Sequence, residues 1–115
     1  MDLNEERSVN VMVGSEVGIG FSLFVKREDE IHSVVSGNKY RKLKYNIKKA
    51  LVEGKDTLLT FGGAFSNHIS ATAAIGSILG IKTIGIIRGE ELVSKIRENP
   101  TLSYAQQCGM QFKFV

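Results

Sequence analysis

A chain of 115 residues, 43% hydrophobic and 23% charged, can bury one modest core, which excludes a disordered segment and fits a single domain or a piece of a larger one. The one cysteine, Cys108, excludes an internal disulfide and a cysteine-built zinc site, and no apolar run approaches a membrane span, so the expected setting is a reducing cytoplasm. The formal net charge of +3 is mild but its basic residues are clustered, which permits an anionic partner without naming one.

Residues 1–20 are weakly patterned: "MDLNEERSVN" is polar and unlike a signal peptide, and "VGSEVGIG" reads as turns or a frayed arm. "FSLFVKRED" (21–29) alternates well enough for a strand, with Arg27, Glu28, Asp29 and Glu30 as its solvated end. "SGN" then supplies turn and N-cap chemistry, and a helix beginning at Asn38 or Lys39 places Tyr40, Leu43, Ile47, Ala50 and Leu51 on one face before Gly54 ends it. The next unit is a strand "DTLLTF" (56–61), a turn "GGAFS", a small-residue helix "NHISATAAIGSIL" stopped by Gly80, and a strand "IKTIGII". This βαβ unit predicts an α/β fold with a parallel sheet and flanking helices. A further helix is expected from "NPTLSYAQQC", with Asn99 as cap and Pro100 in the first turn, and Gly109 closes it. "MQFKFV" reads as a third strand of the same layer, Cys108 is expected to be buried and inert, and Tyr104 to pack. Because Val115 falls inside that strand, the strand is either a short edge or the chain is the front part of a longer protein, and the second is expected.

Two stretches can carry chemistry. In "SGNKYRKLKYNIKKA" (36–50) six of the fifteen Lys and Arg fall together without an acidic residue, at the end of a helix where the dipole is already positive. On a helical wheel Lys39 lies at the edge of the apolar face beside Ala50, Arg41 and Lys48 point away to solvent, and Lys42 lies one turn along from Lys39 and farther round. Burial and the positive helix end both disfavour an ammonium at Lys39, as a nucleophilic amine requires; the competing reading is a lysine that snorkels past the core edge into water. In "TFGGAFSNH" (60–68) a glycine pair follows a parallel strand and precedes a helix, where ligands approach open α/β sheets and the first helical N–H groups favour an anion. Here too a plainer reading stands beside it: Ser66 or Asn67 only caps the helix and the glycines only make the turn. The stretch fits neither a Walker loop nor the dinucleotide fingerprint. His32 and His68 have no carboxylate or cysteine at ligand spacing, so they read as ordinary polar histidines and no metal site is expected. Aromatic residues do not interleave with the basic ones as a stacking platform requires, which makes nucleic acid the lesser reading.

Taken in order, "VKRED", "SGNKYRKLKYN", "TLLTFGGAFSNH" and "NPTLSYAQQCGM" resemble the pyridoxal-phosphate enzymes of the 1-aminocyclopropane-1-carboxylate deaminase and D-cysteine desulfhydrase family, within the tryptophan-synthase-β-like fold. The match runs over about residues 22–115, with Glu30 departing from the apolar residue usual after "KRED". The resemblance implies pyridoxal 5'-phosphate as cofactor and a small amino acid as substrate, with a homo-oligomeric assembly. It implies that Lys39 bonds covalently to the cofactor, that Asn67 hydrogen-bonds the ring oxygen, and that the cofactor phosphate offsets cations such as Lys42. Lys39 and Ser66 are then the catalytic residues, and Ser66, Asn67 and His68 with nearby N–H groups receive the substrate carboxylate. The family's phosphate loop, ring-stacking tyrosine and pyridine-nitrogen partner would lie beyond Val115. The alternative from another class is a non-catalytic α/β module that binds an anionic partner through the basic helix 39–49.

Overall fold

The computed structural model describes residues 3–14, 18 and 20–115. Three parallel strands, β3 (Thr57–Gly62), β4 (Lys82–Ile87) and β5 (Gln111–Phe114), form a sheet in the order β3-β4-β5. The register runs Leu59 to Ile84 to Gln111 and Phe61 to Ile86 to Lys113, so these residues share one face. Helices α2 (Asn67–Leu79) and α3 (Pro100–Gln107) make the crossovers and pack on each other. The α/β class, the parallel sheet and the flanking helices are those expected from the βαβ pattern.

Local chemistry explains the boundaries. Asn99 accepts from the Leu102 N–H at 3.0 Å and Pro100 stands at the first helical position, so α3 starts where its cap is. Helix α2 ends at Gly80, whose φ of 69° lies in the left-handed region that glycine alone enters freely. That helix is buried nearly all round along Ala71, Thr72, Ala73, Ala74, Ile75 and Gly76, as befits an element sandwiched between two layers. On one side it packs with Ile87, Leu102, Ala105 and Met110; on the other it meets helix α1 (Gly37–Val52) through Tyr40, Leu43 and Ile47, with Ile31 and Val35 beneath. Gly76 lets α2 lie close against the start of β4: a Cβ there would come within 2.4 Å of Thr83 Cγ2 and 2.9 Å of the Ile81 carbonyl oxygen.

Several expectations are corrected. Leu51 is exposed, because α1 meets α2 along a narrower stripe than the wheel suggests. Helix α1 starts at Gly37 rather than Asn38 or Lys39, and Ser36, although it occupies the N-cap, makes no side-chain capping bond. Cys108 is half-exposed rather than buried, since α3 ends beside it. The stretch 21–29 is a strand only over β2 (Leu23–Lys26), and Glu28–Glu30 form a 3-10 turn held by Arg27, which pairs with Asp29 and Glu30. Strand β2 runs antiparallel to β1 (Asn10–Val13), paired from Asn10 with Lys26 to Val13 with Leu23. A 3-10 turn at Glu5–Arg7 precedes it, in a region where the sequence suggests no element. The reading of "VGSEVGIG" as turns or a frayed arm falls largely outside the described residues. A further unanticipated element is the 3-10 stretch Glu90–Glu98 between β4 and α3. No helix among the described residues is long and apolar enough to cross a membrane.

Candidate functional site

The carboxyl end of β3 and the start of α2 are built around one close contact. A Cβ on Gly62 would lie 2.7 Å from Ile69 Cγ1 and 3.1 Å from Ser66 Cβ, so the glycine lets the first turn of α2 fold down against its own strand. Gly63 has no such reason, for a Cβ there would meet open space. Ser66 is the N-cap of α2 and its hydroxyl accepts from the Ile69 N–H at 3.4 Å. The N–H groups of Asn67 and His68 in that first turn then have no acceptor within the helix, which leaves donors for an anion.

Facing this turn is the first turn of α1. Its residues Gly37, Asn38 and Lys39, together with Asn67 and Ser70 of α2, line one open cavity of about 490 Å³. Ser33, Val34 and Ser36 complete the wall. Lys39 is half-buried, whereas Lys42 is exposed. His68 is half-buried: burial first, and then the positive charges of Lys39 and Lys42, hold its imidazole below the ordinary value of 6.5. It therefore stays neutral near pH 7, able to donate from one ring nitrogen and accept at the other. His68 lines a separate depression of about 250 Å³ with Asn46, Thr60 and Thr72, and Ser66 is occupied in capping.

So the cavity brings Lys39 and Asn67 together and leaves Ser66, His68 and Lys42 at or beyond its margin. Ser70 escaped sequence reasoning, although its position one turn beyond Asn67 was a usable signal; its hydroxyl reaches back to the Ser66 carbonyl at 3.5 Å. The charged neighbours of Lys39 also differ from expectation. Arg41, expected to point to solvent, stays 40% exposed but is tied down: its Nε and Nη2 donate to the Glu28 carboxylate at 2.7 and 2.8 Å. Glu28, expected at a solvated strand end, is half-buried and also accepts the Ser8 hydroxyl. His32 is a structural histidine, its Nδ1 accepting from the Val34 and Val35 N–H groups at 3.0 Å. No group of three or more metal-ligating side chains occurs among the described residues.

A half-buried lysine and a side-chain amide on one cavity, with the unpaired N–H groups of the first turn of α2 beside it, form a donor set suited to an anionic ligand. No family model matches the chain. Over 74 residues, 64% of this chain, it is 45% identical to a Thermotoga maritima protein provisionally named 1-aminocyclopropane-1-carboxylate deaminase, of which it covers 24%. It is 41% identical over 69 residues, 60% of its length, to D-cysteine desulfhydrase of Klebsiella pneumoniae, covering 21% of that protein. The chain thus spans about a quarter of the length of the curated relatives it matches. A crystal structure of an ACC deaminase homologue superimposes with a TM-score of 0.66 at 31% identity, covering 84% of this chain and 28% of the other. A hydrogen sulfide-producing enzyme of Fusobacterium nucleatum, 15% identical, shares the fold with a TM-score of 0.65 over 93% of this chain and 33% of its own.

Proposed function

We propose, on the premise that this chain is homologous to the 1-aminocyclopropane-1-carboxylate deaminase and D-cysteine desulfhydrase family, that it supplies the lysine-bearing part of a pyridoxal-phosphate-dependent deaminase or lyase acting on a small amino acid. The observation that carries the reading is the single cavity shared by Lys39 and Asn67. Pyridoxal phosphate, when bound, supplies an electron sink for charge left on the substrate α-carbon.

The chain's own residues have distinct tasks in this reading. Lys39 would hold the cofactor through its amine and would take or return a proton at the substrate α-carbon or ring. The Asn67 side-chain amide would hydrogen-bond the cofactor and help to orient it. Ser66 caps the first turn of α2 so that the Asn67 and His68 N–H groups are left for the substrate carboxylate, and its hydroxyl, which accepts from Ile69, keeps its own proton to donate to the same group. His68, neutral near pH 7, contributes its backbone N–H and avoids the repulsion a third cation would bring to Lys39 and Lys42. Lys42 contributes positive charge toward the phosphate. Which substrate bond is broken is set by groups other than these.

The anion-binding module is disfavoured by a specific feature: Arg41 and Lys44 of the basic helix are paired with Glu28 and Glu5, and Lys49 lies 3.9 Å from Glu53. The deciding experiment is borohydride reduction of the chain after incubation with pyridoxal phosphate, followed by peptide mapping. A pyridoxyl group on Lys39 is the expected result; a label mainly on Lys42 or Lys44 refutes the assignment.

A further inference from the structure

Helix α1 carries Lys39 in its first turn; buried Tyr40, Leu43 and Ile47 set which face of the helix meets α2, but the turn has no side-chain cap to hold its end. The Ser36 side chain makes no capping bond, Gly37 sits at φ 58°, and the first turn holds no acidic residue. Two carboxylates from outside the helix add anchors to that end. Glu28 accepts two bonds from Arg41, a two-pronged pair whose plane sets direction as well as distance. Glu5 accepts from the Tyr40 hydroxyl, lies 2.6 Å from Lys44 Nζ and 3.5 Å from Arg41 Nη1.

The two anchors are themselves tied down. Ser8 donates to Glu28, and the Asn4 N–H donates to the carbonyl of fully buried Ile31 at 3.2 Å. Arg41 and then Ser8 hold the Glu28 carboxyl down to about 2, so the pair persists at every ordinary pH. Such partly exposed pairs add little to stability. Geometry is where they matter, because fixing residues 40, 41 and 44 at 100° per residue fixes the direction of the residue before them.

We infer that Glu28, supported by Glu5, is a positioning residue that aims the Lys39 amine into the cavity opposite Asn67. The inference rests on the reading of Lys39 as the cofactor-bonding amine, and it concerns orientation rather than reaction.

The test uses the whole chain and pyridoxal phosphate, with borohydride trapping and the share of label on Lys39 relative to Lys42 and Lys44 as readout, beside the Tm. Glu28→Gln is expected to lower that share by about tenfold or more while leaving total label and Tm nearly unchanged, since a misplacement of the order of 1 Å has effects of that size. Arg41→Lys should act in the same direction, because an ammonium cannot make both prongs. Exchanging the partners, Glu28→Arg with Arg41→Glu, should return label to Lys39. An unchanged share in Glu28→Gln and Arg41→Lys overturns the inference, as does a fall in label that follows Tm and leaves the partition among lysines constant. If Glu28→Gln does not fold, Arg41→Lys, which keeps the charge, decides by the same criterion. Wild-type label that does not favour Lys39 overturns instead the functional reading on which the inference stands.

Discussion

The adjacent glycines Gly62 and Gly63 separate packing from ligand approach, and replacing each by alanine gives opposite expectations. At Gly62 the new methyl would meet Ile69 Cγ1 at 2.7 Å, Ile69 Cδ1 at 3.0 Å and Ser66 Cβ at 3.1 Å. Ile69 is fully buried and cannot swing aside, so the upper part of the usual overpacking range, about 2–3 kcal/mol, applies. Reduced freedom of the unfolded chain returns about 0.5 kcal/mol, which leaves a net loss of about 2 kcal/mol and, at about 4 °C per kcal/mol, a Tm lower by about 8 °C. At Gly63 nothing lies within 4 Å of the methyl and φ is not positive, so the fold should be indifferent and the Tm should move by less than about 2 °C. Cofactor or substrate approaching that backbone would nevertheless meet the methyl. Thermal unfolding followed by circular dichroism, paired with a pyridoxal phosphate titration, reads both effects. Gly62→Ala should lower Tm, and Gly63→Ala should weaken binding at unchanged Tm. A Gly62→Ala protein with wild-type Tm would refute the packing argument, and a Gly63→Ala protein with wild-type affinity would remove Gly63 from the site.

Asn67→Ala should weaken pyridoxal phosphate in a titration more than Ser66→Ala does, because water replaces a cap more readily than an amide aimed at one ring oxygen; Ser66→Ala should also cost about 0.5–1 kcal/mol of stability, seen in denaturant unfolding. The depressed His68 value means that the unfolded chain binds a proton more readily than the folded one below pH 6.5, so stability is complete above that value and falls as pH drops toward the folded value. His68→Gln should flatten the acid limb of a Tm profile recorded between about pH 5 and 7.5, and an unchanged limb would refute the linkage. The face of the sheet that carries Leu59 and Phe61, 56% and 70% exposed, should make the purified chain self-associate in sedimentation runs, with Phe61→Ser lowering the associated fraction.

The sequence by itself determined the βαβ core, because its signals are local. Helix α2 runs from Asn67 to Leu79, the bounds implied by Ser66 before it and Gly80 after it, and α3 starts where Asn99 and Pro100 require. The wheel singled out Lys39 as the lysine beside the apolar face, and it is half-buried there. Tertiary structure decided what depends on groups distant in the chain. Val11, in a stretch whose pattern suggested no element, becomes a strand residue only by pairing with Val25 of the expected strand, since four exposed residues have little local reason to stay extended. Arg41 looked solvent-facing because a wheel knows only its own helix; Glu28 and Glu5, supplied by two earlier turns, turned it into an anchor. The shared cavity of Lys39 and Asn67 arises in the same way, from the packing of α1 on α2, which no periodicity within either helix encodes.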